Sequence, residues 1–161
     1  MGLFSFIKEA GEKLFGHEEE KKLETKSIEE LNFEKATRLK DRILAMGLPV
    51  DKLNIIIVDD KAIVYGEVPN QETREKIILV VGNTEGIGEV DDRLDVMEEE
   101  AKEAEPQFYT VQKGDYLSKI AKEVYGDANK YMIIFEANKP MLSDPDKIYP
   151  GQVLRIPPLE E

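Results

Sequence analysis

The chain has 161 residues, 34 of them acidic and 22 basic, for a formal net charge of -12. That length holds one ordinary domain or two small ones, and that charge excludes a phosphate-neutralising nucleic-acid face and an anchor for anionic membranes. With no cysteine and a single histidine, His17, the chain has no disulfide, no thiolate zinc site, no cysteine nucleophile and no histidine pair for a metal, so it reads as a binding protein and not as an enzyme.

Residues 1–15 place Phe4, Ile7, Leu14 and Phe15 near one face at helical spacing, interrupted by Gly11. Two readings stand: a peripheral helix docked by its apolar face, or an arm that closes over a ligand. The apolar run stops at Lys8-Glu9, short of the roughly 7–15 residues of a secretory signal, and no run approaches the ~20 residues of a membrane span. Phe6 stands where a myristoylation motif needs Ser or Thr. The expected location is the cytoplasm. Residues 16–27 form a charged tract that contains His17, read as a loop histidine with no second ligand near it.

Ser27 and Glu30 make a capping box, and Ile28, Leu31, Ala36, Leu39, Ile43 and Met46 continue at helical steps until Gly47 and Pro49. Two β-branched runs, 53–58 and 62–68, follow with Asp59-Asp60-Lys61 between them. The aspartates suit a tight turn, since Asp tolerates positive φ. A calcium loop would need oxygens at alternating positions over about 12 residues, which the flanking strands deny. Asn70 caps a second helix with an apolar stripe of Thr73, Ile77, Val80 and Val81, ending at Gly82-Asn83. A third strand runs from Ile87 to Val96. Helix, strand, strand, helix, strand over 28–97 describes helices on one face of a three-stranded sheet.

Residues 98–107 are acidic and end near Pro106, and read as an inter-domain linker or a frayed helix. Residues 108–158 read as strand, helix, helix, strand: Phe108–Val111, a stripe of Leu117, Ile120, Ala121 and Val124, a second stripe of Tyr131, Ile134, Phe135 and Ala137, and Val153–Ile156 before Pro157-Pro158. The fold class is α+β, as two small domains joined by the linker.

The segment Phe108-Tyr109-Thr110-Val111-Gln112-Lys113-Gly114-Asp115-Tyr116-Leu117-Ser118-Lys119-Ile120-Ala121, with Ile134–Asn138 and Ile148–Pro157, resembles a LysM domain. Tyr116 departs from it, standing where a small hydroxyl residue is usual. Asp60–Val68 and Val81–Asp92 resemble a BON domain over residues 28–97. With the opening Met-Gly-Leu-Phe-Ser-Phe-Ile-Lys-Glu-Ala-Gly-Glu-Lys-Leu, the whole chain resembles the small cytoplasmic potassium-binding proteins of bacteria.

The resemblance implies K⁺ as the bound ion and a change of conformation with it. K⁺ suits backbone carbonyls that replace its water, whereas carboxylate clusters favour divalent ions. By resemblance the ligands are the carbonyl oxygens of Ile7, Ala10, Gly82, Thr84 and Ile87, with Glu12 as a weaker sixth, set between two glycine-punctuated breaks. The arm 1–15 then becomes a closure over the ion. LysM relatives bind N-acetylglucosamine polymers, so peptidoglycan is the alternative ligand, with Gly114, Asp115, Tyr116, Leu117, Ile148 and Tyr149 as its candidate groove. The same domain could instead dock a protein partner or simply support the fold.

Overall fold

The computed structural model describes residues 2–7, 10–11, 27–97 and 107–158. The chain divides into two compact units, Met1–Glu99 and Glu100–Glu161. Among the described residues no helix is long and apolar enough to cross a membrane.

In the first unit, helix α1 (Ile28–Ala45) starts where the Ser27 hydroxyl accepts the Glu30 N–H at 3.1 Å, satisfying a donor the helix cannot. Gly47, at φ 76°, lets the chain leave the last turn. The buried stripe is Leu31, Ala36, Leu39 and Ile43. Ile28, expected in that stripe, is 66% exposed in the first turn of the helix.

Strands β2 (Asp51–Val58) and β3 (Lys61–Val68) form the expected hairpin, with Asp59 at φ 55°. The aspartates therefore serve the turn. Leu53, Ile55 and Ile57 alternate inward, as do Ala62, Val64 and Val68 on β3. Helix α2 (Gln71–Gly82) is capped by Asn70, whose Oδ1 accepts from Thr73 N at 2.9 Å. Its second half is buried all round, from Ile77 to Gly82, so Ile78 and Leu79 join the expected stripe. Strand β4 (Glu89–Val96) runs parallel to β3, with Val64 opposite Asp92. Ile55, Val64 and Asp92 share the face that the helices cover.

The N-terminus departs from expectation. Gly2–Ser5 is a strand, β1, and not the start of a helix; it pairs antiparallel with β4, Gly2 opposite Asp92 and Ser5 opposite Glu89. The sheet has four strands, in the order β1-β4-β3-β2, where the sequence suggested three. The physical reason is main-chain satisfaction. The outer edge of β4 offers a row of donors and acceptors, and a four-residue apolar segment gains more from them than from a helical turn with a costly nucleus. Leu14 and Phe15, the other half of the expected apolar face, lie outside the described residues, as do His17 and most of the linker.

In the second unit, β5 (Gln107–Thr110) pairs antiparallel with β6 (Val153–Ile156), and α3 (Leu117–Tyr125) and α4 (Tyr131–Ala137) pack beside them. The core is built from Val111, Leu117, Ile120, Ile134, Leu154 and their neighbours. Asn138, just after α4, is 1% exposed and fully used. Its amide donates to Ile134 O at 2.7 Å and Arg155 O at 2.9 Å, and its Oδ1 accepts from Arg155 N at 2.7 Å. One side chain thus supplies β6 with a partner on its second edge. Tyr116 caps α3 without a side-chain hydrogen bond, the local cost of lacking a hydroxyl or carboxylate there.

Candidate ion site at the N-terminal arm

The chain after β1 lies against the loop that follows α2. Phe6 N donates to Gly88 O at 2.9 Å, which extends the β1–β4 pairing by one step. The Phe6 ring then rests on Gly82: a Cβ there would stand 2.1 Å from Phe6 Cζ, so only glycine admits the ring. Gly11, at φ 110°, meets the same loop from the other side. A Cβ on it would be 2.7 Å from Asn83 O and 2.9 Å from Glu85 N. Two glycines, one on each partner, let the backbones approach where a side chain would hold them apart.

Local hydrogen bonds shape both sides. Ile7 O accepts from Ala10 N at 3.1 Å, and Thr84 O accepts from Ile87 N at 3.1 Å. The Thr84 hydroxyl donates to Val80 O at 3.0 Å, and Asn83 N donates to Leu79 O at 2.8 Å. Gly88 N donates to Asp60 O at 2.8 Å, which ties the loop to the β2–β3 hairpin. Gly82, Thr84 and Ile87 are buried, Ala10 is half-buried and Ile7 is exposed. Outside the helices and strands, no backbone hydrogen bond between described residues ends on the carbonyls of Ala10, Gly82 or Ile87.

The structure therefore brings together the two glycine-punctuated breaks that carry Ile7, Ala10, Gly82, Thr84 and Ile87. Glu12 lies outside the described residues. The electrostatics favour a cation. The loop begins at the C-terminal end of α2, where carbonyls lack helical partners, and no basic residue occupies that last turn. Among the described residues no three carboxylate or histidine side chains gather as a metal site. Sequence reasoning did not find the role of Phe6. Nothing local marks it, because its partner is a glycine on another element.

The candidate glycan residues fall into different environments. Hydrogen bonds from Val111 N to Gln152 O and from Gly151 N to Val111 O, both 2.8 Å, hold the two loops side by side. Leu117 is 2% exposed in the core, and Ile148 packs against it. Tyr149 is half-buried, Gly114 sits at φ 87° in the turn, and Tyr116 is 57% exposed. Asp115 is committed to the fold: it accepts from Tyr109 Oη at 2.7 Å and Gln112 N at 2.9 Å, and pairs with Lys119 Nζ at 3.2 Å.

The Tyr109 hydroxyl, then the Gln112 N–H and Lys119, hold the Asp115 carboxyl below the ordinary carboxylate range against the opposing effect of burial. The same hydrogen bond pushes the Tyr109 phenol up. A carboxyl with a depressed folded pKa stabilises above its unfolded value, about 3.9, and that contribution fades as pH falls through the folded value. The second unit should therefore lose stability on acidification from pH 5 to pH 3, and Asp115→Asn should flatten that dependence. Amide signals of residues 107–158, followed through thermal melts of the full chain, measure it; an unchanged pH slope in the variant would refute the assignment.

Residues 34–98 match the family model of the BON domain, and residues 109–157 match that of the LysM domain. The chain is 49% identical over 162 aligned residues to "Potassium binding protein Kbp" of Escherichia coli O6:H1, covering 98% of this chain and 99% of that protein. The chain belongs to the family of that Kbp protein. Shorter stretches resemble other proteins. An uncharacterized protein of Deinococcus radiodurans is 55% identical over 49 residues, 30% of this chain and 19% of its own length. The uncharacterized protein YqbP of Bacillus subtilis is 39% identical over 61 residues, 32% of this chain and 28% of its own. The likeness to the Kbp protein spans arm, BON and LysM together, so it extends to the segment that closes on the α2 loop.

Proposed function

We propose that this protein is a cytoplasmic K⁺ sensor, a binding protein without catalytic activity. In this reading the carbonyls of Ile7, Ala10, Gly82, Thr84 and Ile87, with Glu12, replace the water of the ion. Binding draws the arm onto the BON body and compacts it. The observation that carries the proposal is the seating of Phe6 and Gly11 on the loop after α2, which brings two glycine-marked backbone segments together at the C-terminal end of a helix. The name of the 49% identical relative supports the choice of ion. Neutral backbone oxygens suit a large, weakly hydrated monovalent ion, and the two glycines make the approach possible.

Binding to the closed state alone stabilises it by mass action, by about 2.7 kcal/mol when the ion is at 100 times its dissociation constant. Calorimetric titration of ion-free protein with K⁺, Na⁺ and Ca²⁺ is expected to give saturable heat with K⁺ and none with Ca²⁺ at the same concentration. Melting temperature should rise in KCl over equal NaCl. Equal melting in the two salts, or heat from Ca²⁺ alone, would overturn the reading.

A further inference from the structure

The first unit keeps one sheet edge open. At one side β1 covers β4; at the other, β2 has β3 on its inner side and no strand beyond it among the described residues. Exposed edges in natural proteins are usually guarded by charge, proline or a bulge. Here the guard stands only at the start of β2, where Lys52 adopts φ 55° and the register shifts between Asp51 and Asn54. From Asn54 to Val58 the strand has no charge, no proline and no bulge.

A groove of about 500 Å³ runs between this edge and the N-terminal half of α1. From α1 it carries two large apolar side chains held in solvent, Phe33 at 74% and Ile28 at 66% exposure, and Ile55 to Val58 of β2 line its other side. The charged residues that line it are Glu29 and Asp59, and both are acidic. An edge with no partner strand among the described residues, an apolar trough beside it and an acidic rim together specify an extended, apolar, basic-ended ligand.

We propose that β2 and this groove accept an extended segment of a partner protein, paired to the outer edge of β2, with alternate apolar side chains in the trough and a lysine or arginine beside Glu29 and Asp59. A second copy of this chain fits less well: it would bring another net charge of -12 to an already acidic rim. The groove lies at the opposite edge of the sheet from β1, so the proposal stands apart from the ion site.

The test uses the full chain, isotope-labelled, and a synthetic eight-residue peptide of alternating valine and threonine ending in two lysines. Amide shifts are expected at residues 28–36 and 51–59. The same peptide with glutamates for lysines should bind at least tenfold more weakly, and one N-methylated at alternate residues should not bind. Phe33→Ser, at a side chain that is largely in solvent, should weaken binding at least fivefold without lowering the melting temperature. Glu29→Gln with Asp59→Asn should erase the preference for lysine over glutamate. Absence of shifts at millimolar peptide, shifts confined to other residues, or equal binding of the N-methylated peptide would overturn the proposal. A dimer in sedimentation that buries β2 would also overturn it, in favour of a second copy.

Discussion

Gly82→Ala should lower K⁺ affinity at least tenfold while leaving the BON body folded. The two consequences of the added methyl group have opposite signs. Gly82 is the last residue of α2, and alanine in a helix is favoured over glycine by roughly 0.5–1 kcal/mol. Against that, the new Cβ would stand 2.1, 2.2 and 2.3 Å from three atoms of the Phe6 ring. Turning the ring about its own axis leaves Cζ in place, and the Phe6 backbone is held by its bond to Gly88 O and by the β1 pairing, so the ring must swing out of its seat. With the ring unseated the arm loses its hold on the α2 loop, and the carbonyls proposed on its side should leave with it. A tenfold loss corresponds to about 1.4 kcal/mol, a modest share of what docking supplies. Calorimetry with K⁺ on the variant reads the loss, and denaturation without K⁺ reads the body. Phe6→Ala supplies the control: in that background Gly82→Ala has no ring to displace and should change affinity little further, so the two substitutions should be far from additive. An unchanged affinity in Gly82→Ala would remove the arm from the site.

Arg74→Ala should destabilise the first unit by about 3–5 kcal/mol. Asp92 lies on the helix-covered face of β4, with its side chain 1% exposed. Its carboxylate is held by Arg74 Nε from α2 and by Leu94 N at 3.0 Å. Arg74 is itself 22% exposed, and it also donates to Gln71 Oε1 at 3.1 Å. Truncating it leaves a buried negative charge with a single backbone donor. That is far costlier than removing an exposed pair such as Lys52–Glu67, which is worth about 0–1 kcal/mol. For a domain with about 5–15 kcal/mol in hand, the loss is decisive. Urea denaturation followed at amides of residues 27–97 measures it. Replacing both partners, Arg74→Met with Asp92→Leu, should recover much of the loss, because no charge is then stranded. A loss under about 1 kcal/mol for Arg74→Ala would mean that the carboxylate has another support.

The parts legible in the sequence are those whose cause is local. Ser27 with Glu30, and Asn70 with Thr73, announce helix starts because the cap and its donor are three residues apart. The Asp59 turn is readable because positive φ selects few residue types. What the sequence hid was set by partners far along the chain. The β1 segment has an apolar spacing compatible with a helix, and only the open edge of β4 decides otherwise. Ile28 fits the helical stripe by spacing but stays 66% exposed. Leu117 and Ile148 flank the turns expected to line a glycan groove, yet core packing claims both. The proposed ion site is the extreme case. Carbonyls are common to every residue, so ligand positions leave no side-chain signature. The traces that remain are the glycines that let two backbones meet, and Gly11 and Gly82 show their purpose only once Asn83 and Phe6 stand beside them.

The pairing of β1 with β4 joins residue 5 to residue 89. During synthesis residues 2–5 emerge well before β4, and they must wait for nearly the whole first unit to appear before they have an edge to join. Closing so long a loop gives little until the body is built. Strand β1 is therefore expected to be the last to enter its sheet, added to a surface already built. A segment that docks late onto a body already stable without it can also leave without unfolding that body. The order of assembly and the proposed response to an ion are then one property of the fold.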